Sequence, residues 1–211
     1  MKLLKLTLLT LVFSLLNACS DDNDSRPLET TKIQLEPQFV NTDEMPKVLM
    51  QTSMGDIEIA LDDKKAPLSV KNFLAYTEKG FYNGTIFHRV ISDFMIQGGG
   101  YTTDHQKKDN MPQIQNEANN GLRNEDYTVA MARTGYPHSA TSQFFINTKN
   151  NRFLNHSSES SQGWGYAVFG IVTKGRDVVD KIEAVETGRT APFPSDVPKI
   201  QIIIKSVALL K

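Results

Sequence analysis

The chain has 211 residues, 39% hydrophobic and 22% charged, with a mean hydropathy of -0.34. These are the proportions of a soluble globular protein, long enough to bury a core and too balanced for wholesale disorder. A formal net charge of -1 offers no basic field for nucleic acid, and the single cysteine, Cys19, excludes an internal disulfide or a cysteine-built structural zinc site.

At the N-terminus Lys2 and Lys5 precede an uncharged, Leu-rich run from Leu6 to Leu16. A bilayer core of about 30 Å needs roughly 20 apolar residues, so the shorter run reads as a cleaved signal peptide over residues 1–18. The junction Leu16-Asn17-Ala18-Cys19 is similar to the bacterial lipobox, which makes Cys19 a lipidation site and not a nucleophile. Between Ser20 and Met45 seven acidic residues stand against two basic ones without helical or strand periodicity. Residues 19–45 therefore read as the lipidated Cys and an acidic flexible tether, reaching roughly 30 Å; the alternative is that Ile33 to Val40 adds a strand or pads the domain surface. The remaining residues, 46–211, carry 19 basic and 17 acidic side chains and contain no second linker or repeat. They read as one domain.

Within it, Lys47 to Thr52 and Asp56 to Leu61 form a predicted hairpin around Ser53-Met54-Gly55, because Ile57, Ile59 and Leu61 alternate with Asp56, Glu58 and Ala60. A helix is predicted over Ala66 to Lys79, with Pro67 in its first turn, Val70, Phe73, Leu74 and Thr77 at helical spacing, and Gly80 as the stop. Short apolar runs at Ile86–Ile91, Phe94–Gln97, Thr128–Ala132, Gln143–Asn147, Ala167–Val172 and Ile200–Leu210 read as strands. A second helix fits Arg176 to Val185, with Val178, Val179 and Ile182 on one stripe. Many strands and two helices predict an all-β dominated fold, a closed β-barrel capped at its ends.

The common chemical templates are missing: no G-x-S-x-G elbow, no Walker A loop, no H-E-x-x-H pair, and no metal-ligand spacing among His88, His105, His138 and His156. Gly98-Gly99-Gly100 opens no periodic helix, so it reads as a tight strand exit, not a phosphate cradle. Lys107 and Lys108 read as a solvated charge pair, His88 as a supporting hydrogen-bonding residue and Trp164 as a loop anchor. What remains is FHRVISDFMIQGGG, residues 87–100. Strict alternation would put Phe87, Arg89 and Ile91 on one face, leaving a guanidinium among apolar neighbours where an unpaired charge is expensive.

That stretch, together with MARTGYPHSATSQFFIN, FLNH and YAVFGIV, resembles the cyclophilin family of peptidyl-prolyl cis-trans isomerases, and its bacterial periplasmic branch in particular. The resemblance covers residues 47–211 and implies an eight-stranded antiparallel barrel closed by two α-helices. By position it implies a catalytic role for Arg89, a proline pocket of Phe94, Met95, Phe145 and Leu154, and amides at Gln97 and Gln143 that hold the substrate backbone. Ala132 and Arg133 fall in the segment that pairs with substrate main chain, although the family often has Asn at the position of Arg133. Tyr166 stands where many eukaryotic members have a pocket His, and Phe153 replaces their Trp, whose indole N–H contributes to binding the inhibitor cyclosporin. The Gly-rich gatekeeper loop of the family has no counterpart in Tyr101 to Asn116.

The resemblance also implies that neither cofactor nor metal is needed, since rotating an X-Pro bond breaks no covalent bond. The expected partners are proline-containing polypeptides, unfolded or exported, met by a monomer at the bacterial cell envelope. Lipid on Cys19 would hold it to the membrane, facing the periplasm, with Ser20 favouring the outer membrane over the inner. A tethered module that only binds proline segments is the competing reading, and the joint presence of Arg89, Phe94 and Gln97 argues for turnover.

Overall fold

The alternating apolar pattern becomes the wall of a barrel in the computed structural model, which describes residues 38–210. The signal segment, Cys19 and most of the expected tether lie outside the described residues. In chain order the elements are β1 (Lys47–Thr52), β2 (Gly55–Leu61), α1 (Pro67–Glu78), β3 (Thr85–Ile91), β4 (Met95–Thr102), β5 (Thr128–Met131) and β6 (Phe144–Asn147). There follow β7 (Val168–Lys174), α2 (Arg176–Glu183), β8 (Thr187–Thr190), β9 (Phe193–Pro198) and β10 (Ile203–Leu209). Eight strands close antiparallel in the order β1-β10-β3-β4-β6-β5-β7-β2, while β8 and β9 form a separate hairpin. Closure leaves the barrel no free edge to pair with another chain. The expected helices match α1 and α2 within two residues at each end.

The interior is a single apolar cluster. Phe73 and Tyr76 of α1 meet Tyr82, Phe87, Phe144 and Phe169, and Val178, Val179 and Ile182 of α2 join the same cluster. Phe73 stacks on Tyr82 at 5.0 Å and meets Phe144 edge-on at 5.6 Å, arrangements that aromatic quadrupoles favour. The Tyr82 hydroxyl donates to Ser142 O at 3.0 Å, so its burial leaves no orphan donor.

Three local features differ from the sequence-based expectation. Phe87 pairs with Gly98 and Arg89 with Gln97, so β3 holds one extra residue, His88, against β4. This β-bulge breaks the alternation: Phe87 and Val90 both point into the core, while Arg89 and Ile91 face outward. Second, the three glycines lie inside β4 and not at its exit. A Cβ on Gly99, which has φ +80°, would lie 2.8 Å from the Phe144 ring, and one on Gly100 would lie 2.5 Å from Gln143 Cγ; the strand needs bare backbone to pass both. Third, Lys108 is half-buried and not simply a solvated charge, since it donates to Phe81 O and sits 4.4 Å from the Phe81 ring centroid, and burial lowers its pKa.

The end of the expected tether belongs to the fold. Phe39 is buried with Leu122, Ala130 and Val168 in a second apolar cluster on the outside of the barrel, with Met45 packed against it. Gln38 donates to Arg123 O at 3.0 Å and accepts from Arg123 N at 2.6 Å. Residues 38–45 thus cover barrel surface, which Phe39 alone rewards with about 2–3 kcal/mol of apolar burial. The β8–β9 hairpin was not anticipated because Pro192, Pro194 and Pro198 interrupt any apolar alternation.

Candidate active site

The second apolar cluster is only partly covered. Where Phe39 and Leu122 end, the outer face of β3, β4 and β6 opens into a groove of about 120 Å³ lined by Arg89, Phe94, Met95, Gln97 and Phe145, with Ala132, Arg133, Leu154 and Tyr166 completing it. Register explains the convergence. Arg89, Gln97, Phe145 and Ala130 are successive partners across β3, β4, β6 and β5, and Ile91, Met95 and Asn147 form the next row. Paired residues of antiparallel strands share a face, so one row carries the polar groups and the aromatic floor together.

Arg89 is 42% exposed and its charge is met from two sides. Nη1 donates to Gln97 Oε1 at 3.4 Å, and Nε lies 3.9 Å from the Asp196 carboxylate of β9. Gln97 Nε2 donates onward to Gln143 Oε1 at 2.9 Å, so Gln143 stands behind Gln97 and outside the groove lining. Ala132 follows β5, its N–H donating to Gln143 O at 3.0 Å.

The apolar wall comes from two turns. Phe94 sits at the tip of the β3–β4 turn, and Leu154 ends a short 3-10 helix, Arg152–Leu154. Phe153 is 75% exposed and stacks on Phe94 at 5.6 Å, forming the rim. Tyr166 meets Phe145 edge-on at 5.6 Å. Over its other side lies Arg133, 4.7 Å from the ring centroid. That guanidinium donates to Gly165 O and Thr134 O, both at 2.9 Å, and fastens the Tyr166 segment to the end of β5. Trp164 lies beside His138 and His156, with ring centroids at 4.8 and 5.2 Å.

Four buried or half-buried asparagines hold the Leu154 turn. Asn151 Nδ2 donates to Asn147 Oδ1 at 2.7 Å and to Phe94 O at 2.8 Å. Asn147 Nδ2 donates to Thr128 Oγ1 at 2.9 Å, and Asn155 Oδ1 accepts from Asn124 N at 2.7 Å. These amides and Asp196 escaped the sequence reading. Asn147, polar at the end of an apolar strand, was the one available signal.

His88, at the bulge, is placed mainly by packing rather than by the hydrogen bonding expected of it. Its ring packs 4.7 Å from Tyr101 and 5.3 Å from Phe193, and Nδ1 has no partner. Burial, and next the Arg89 charge, push its pKa down to about 4, so it is neutral at pH 7. Among the described residues no cluster of His, Cys, Asp and Glu could hold a metal ion.

The family model for cyclophilin type peptidyl-prolyl cis-trans isomerase/CLD matches residues 47–209. A peptidyl-prolyl cis-trans isomerase of Streptomyces antibioticus is 60% identical over 166 residues, covering 79% of this chain and 99% of that protein. Peptidyl-prolyl cis-trans isomerase B of Escherichia coli is 58% identical over 162 residues, covering 77% and 98%. A crystal structure of a cyclophilin type isomerase from Cryptosporidium parvum, determined in the presence of the dipeptide Ala-Pro, superposes with a TM-score of 0.63 at 27% identity over 78% of this chain and 99% of that one. The chain belongs to the cyclophilin-type peptidyl-prolyl cis-trans isomerases, and its activity is rotation of the X-Pro peptide bond.

Proposed function

We propose that the rotation is catalysed by Arg89 against a pocket of Phe94, Met95, Phe145 and Leu154, and that it serves the folding of exported proteins at the bacterial cell envelope, with lipid on Cys19 as the anchor. The observation that carries the catalytic part is a half-buried guanidinium beside the apolar pocket, braced by Gln97 and Asp196, whereas the groove's other guanidinium, Arg133, is committed to Gly165 O and Thr134 O. An X-Pro bond must lose amide resonance to rotate, against a barrier of about 18–20 kcal/mol, and unassisted it takes on the order of 100 s. Nothing is cleaved, so the task is to bind the twisted amide better than either planar form. As the bond twists, the proline nitrogen regains its lone pair and Arg89 donates to it, while Gln97, steadied by Gln143, and the backbone near Ala132 hold the carbonyl side. The pocket grips the ring so that only one end turns. Shortening 100 s to about a millisecond takes about 10⁵-fold, or roughly 7 kcal/mol.

Exchange NMR on an Ala-Pro peptide reads turnover and affinity in one titration. Arg89→Ala lowers kcat/KM by about 10²–10³-fold, the loss typical of one oriented donor, while peptide affinity changes little. Arg89→Lys rescues poorly, because one ammonium cannot reach Gln97 and the proline nitrogen in a fixed fork. An unchanged exchange rate in Arg89→Ala sinks this reading.

The envelope location is supported by the signal-like residues 1–18 and the lipobox-like sequence at Cys19; no helix among the described residues is long and apolar enough to cross a membrane. The several acyl chains of a bacterial lipoprotein satisfy the requirement of more than one chain for stable attachment. Cys19→Ser then releases the protein or leaves its precursor uncleaved. Equal masses in the soluble fraction for both forms would contradict the anchor.

A further inference from the structure

The β8–β9 hairpin takes no part in the barrel, yet it delivers a carboxylate to Arg89. We propose that Asp196 is a positioning residue, fixing the Nε side of the Arg89 guanidinium so that its Nη groups face Gln97 and the groove. This deepens, and rests on, the role given to Arg89 above. The two braces come from different elements and reach different atoms: Gln97 takes Nη1 at 3.4 Å, and Asp196 lies 3.9 Å from Nε. Two such restraints fix the plane of a fork that one acceptor would leave free to swivel.

The hairpin is built to hold that carboxylate in place. Phe193 wedges its ring against His88, Tyr101 and His105, with centroids at 5.3, 4.8 and 5.7 Å, and so ties β9 to β3 and β4. Val197 is buried, and Lys199 N donates to Glu186 O at 2.8 Å at the base. Asp196 has φ 64°, a left-handed conformation uncommon outside glycine, and Ser195 Oγ donates to its Oδ2 at 2.8 Å, the same oxygen that faces Arg89. Asp196 is outside the groove lining, so its influence on turnover runs through Arg89.

The test is Asp196→Asn in the full-length protein, because Asn keeps the size, tolerates the left-handed backbone and removes the charge. An ion pair this exposed contributes a factor of about two to five, and misplacing a reacting group adds to it. The isomerisation rate on an Ala-Pro peptide should fall threefold or more with affinity within about twofold, and the Arg89 Nε–Hε NMR signal should shift and lose order. Asp196→Gly, which suits the backbone equally well, should behave alike. In an Arg89→Lys background, which lacks Nε, the Asp196 substitution should cost nothing further. A rate within about 1.5-fold of wild type in both variants, or an equal loss in both backgrounds, overturns the role of Asp196. Wild type without turnover, or Arg89→Ala at full rate, overturns instead the reading on which it rests.

Discussion

Phe144 and Phe145 are consecutive on β6, yet they serve opposite surfaces. Phe144 points inward and meets Phe73, Tyr82 and Phe87 edge-on, sealed by α1. Phe145 points outward, packs with Met95 and Leu154, and has one aromatic neighbour, Tyr166. The same contrast separates Val90 from Arg89 and Ile96 from Gln97. Strand pleating offers two apolar faces for one stretch of sequence. One is closed by helices and becomes stability. The other is covered only as far as Phe39 and Leu122, and the uncovered part, supplied with two guanidiniums and the Gln97 amide, becomes a site for someone else's proline.

The sharpest way to break this contrast is to truncate each ring in turn. Phe144→Ala should destabilise the protein by about 3–5 kcal/mol, because a closed aromatic cluster cannot collapse around the cavity. The folded fraction should still turn over substrate. Phe145→Ala should cost at least about 1 kcal/mol less than that, since its surroundings can relax toward the open groove, but it should raise KM. Urea unfolding with parallel kinetics decides; equal stability losses, or lost binding in Phe144→Ala alone, would erase the distinction.

His88 stands at the bulge between the two faces, and its titration tests which it belongs to. Its folded pKa of about 4 lies below the ordinary 6.5, so the unfolded chain binds more protons between those values. Its contribution is therefore complete above pH 6.5 and is lost as pH falls toward 4, by at most about 3 kcal/mol. His88→Phe should flatten that part of the stability profile relative to wild type. Identical profiles from pH 7 to 4 would place the ring in solvent contact rather than in the interior.

The smallest expected effect concerns the rim. Phe153 has no N–H where eukaryotic relatives carry an indole, and it lies flat on Phe94, three-quarters exposed. Phe153→Trp should tighten cyclosporin inhibition by about 1 kcal/mol, roughly fivefold, without affecting stability. If both forms are inhibited alike, the rim takes no part in recognising the groove's ligands.

The barrel was legible in the sequence because each of its eight strands carries either an alternation or a short apolar run, and both helices carry an apolar stripe. The alternation in β2 and the Pro67-to-Gly80 framing of α1 are local signals that tertiary context only reinforced. The direction of Arg89 was not legible. Strict alternation put it with Phe87, and the bulge at His88, set by pairing with β4, reversed it. Asp196 and the four asparagines were invisible for a related reason: apart from Asn147 with Asn151, their meaning lies in partners 19 or more positions away, such as Asn147 with Thr128 or Arg89 with Asp196. The covering of barrel surface by Phe39 stood only as the alternative for Ile33 to Val40, because one aromatic residue makes no period.

The asparagine cluster that secures the Leu154 turn has a consequence for the conditions under which the groove keeps its shape. Carboxamides neither gain nor lose protons in the ordinary range, and they carry no net charge for counterions to screen. Asn147, Asn151, Asn124 and Asn155 therefore hold one wall at a geometry indifferent to acidity and ionic strength. The opposite wall, where Arg89 faces Asp196 across a partly exposed gap, is open to screening by salt. Salt should therefore act on the orientation of the guanidinium before it alters the pocket that receives the ring.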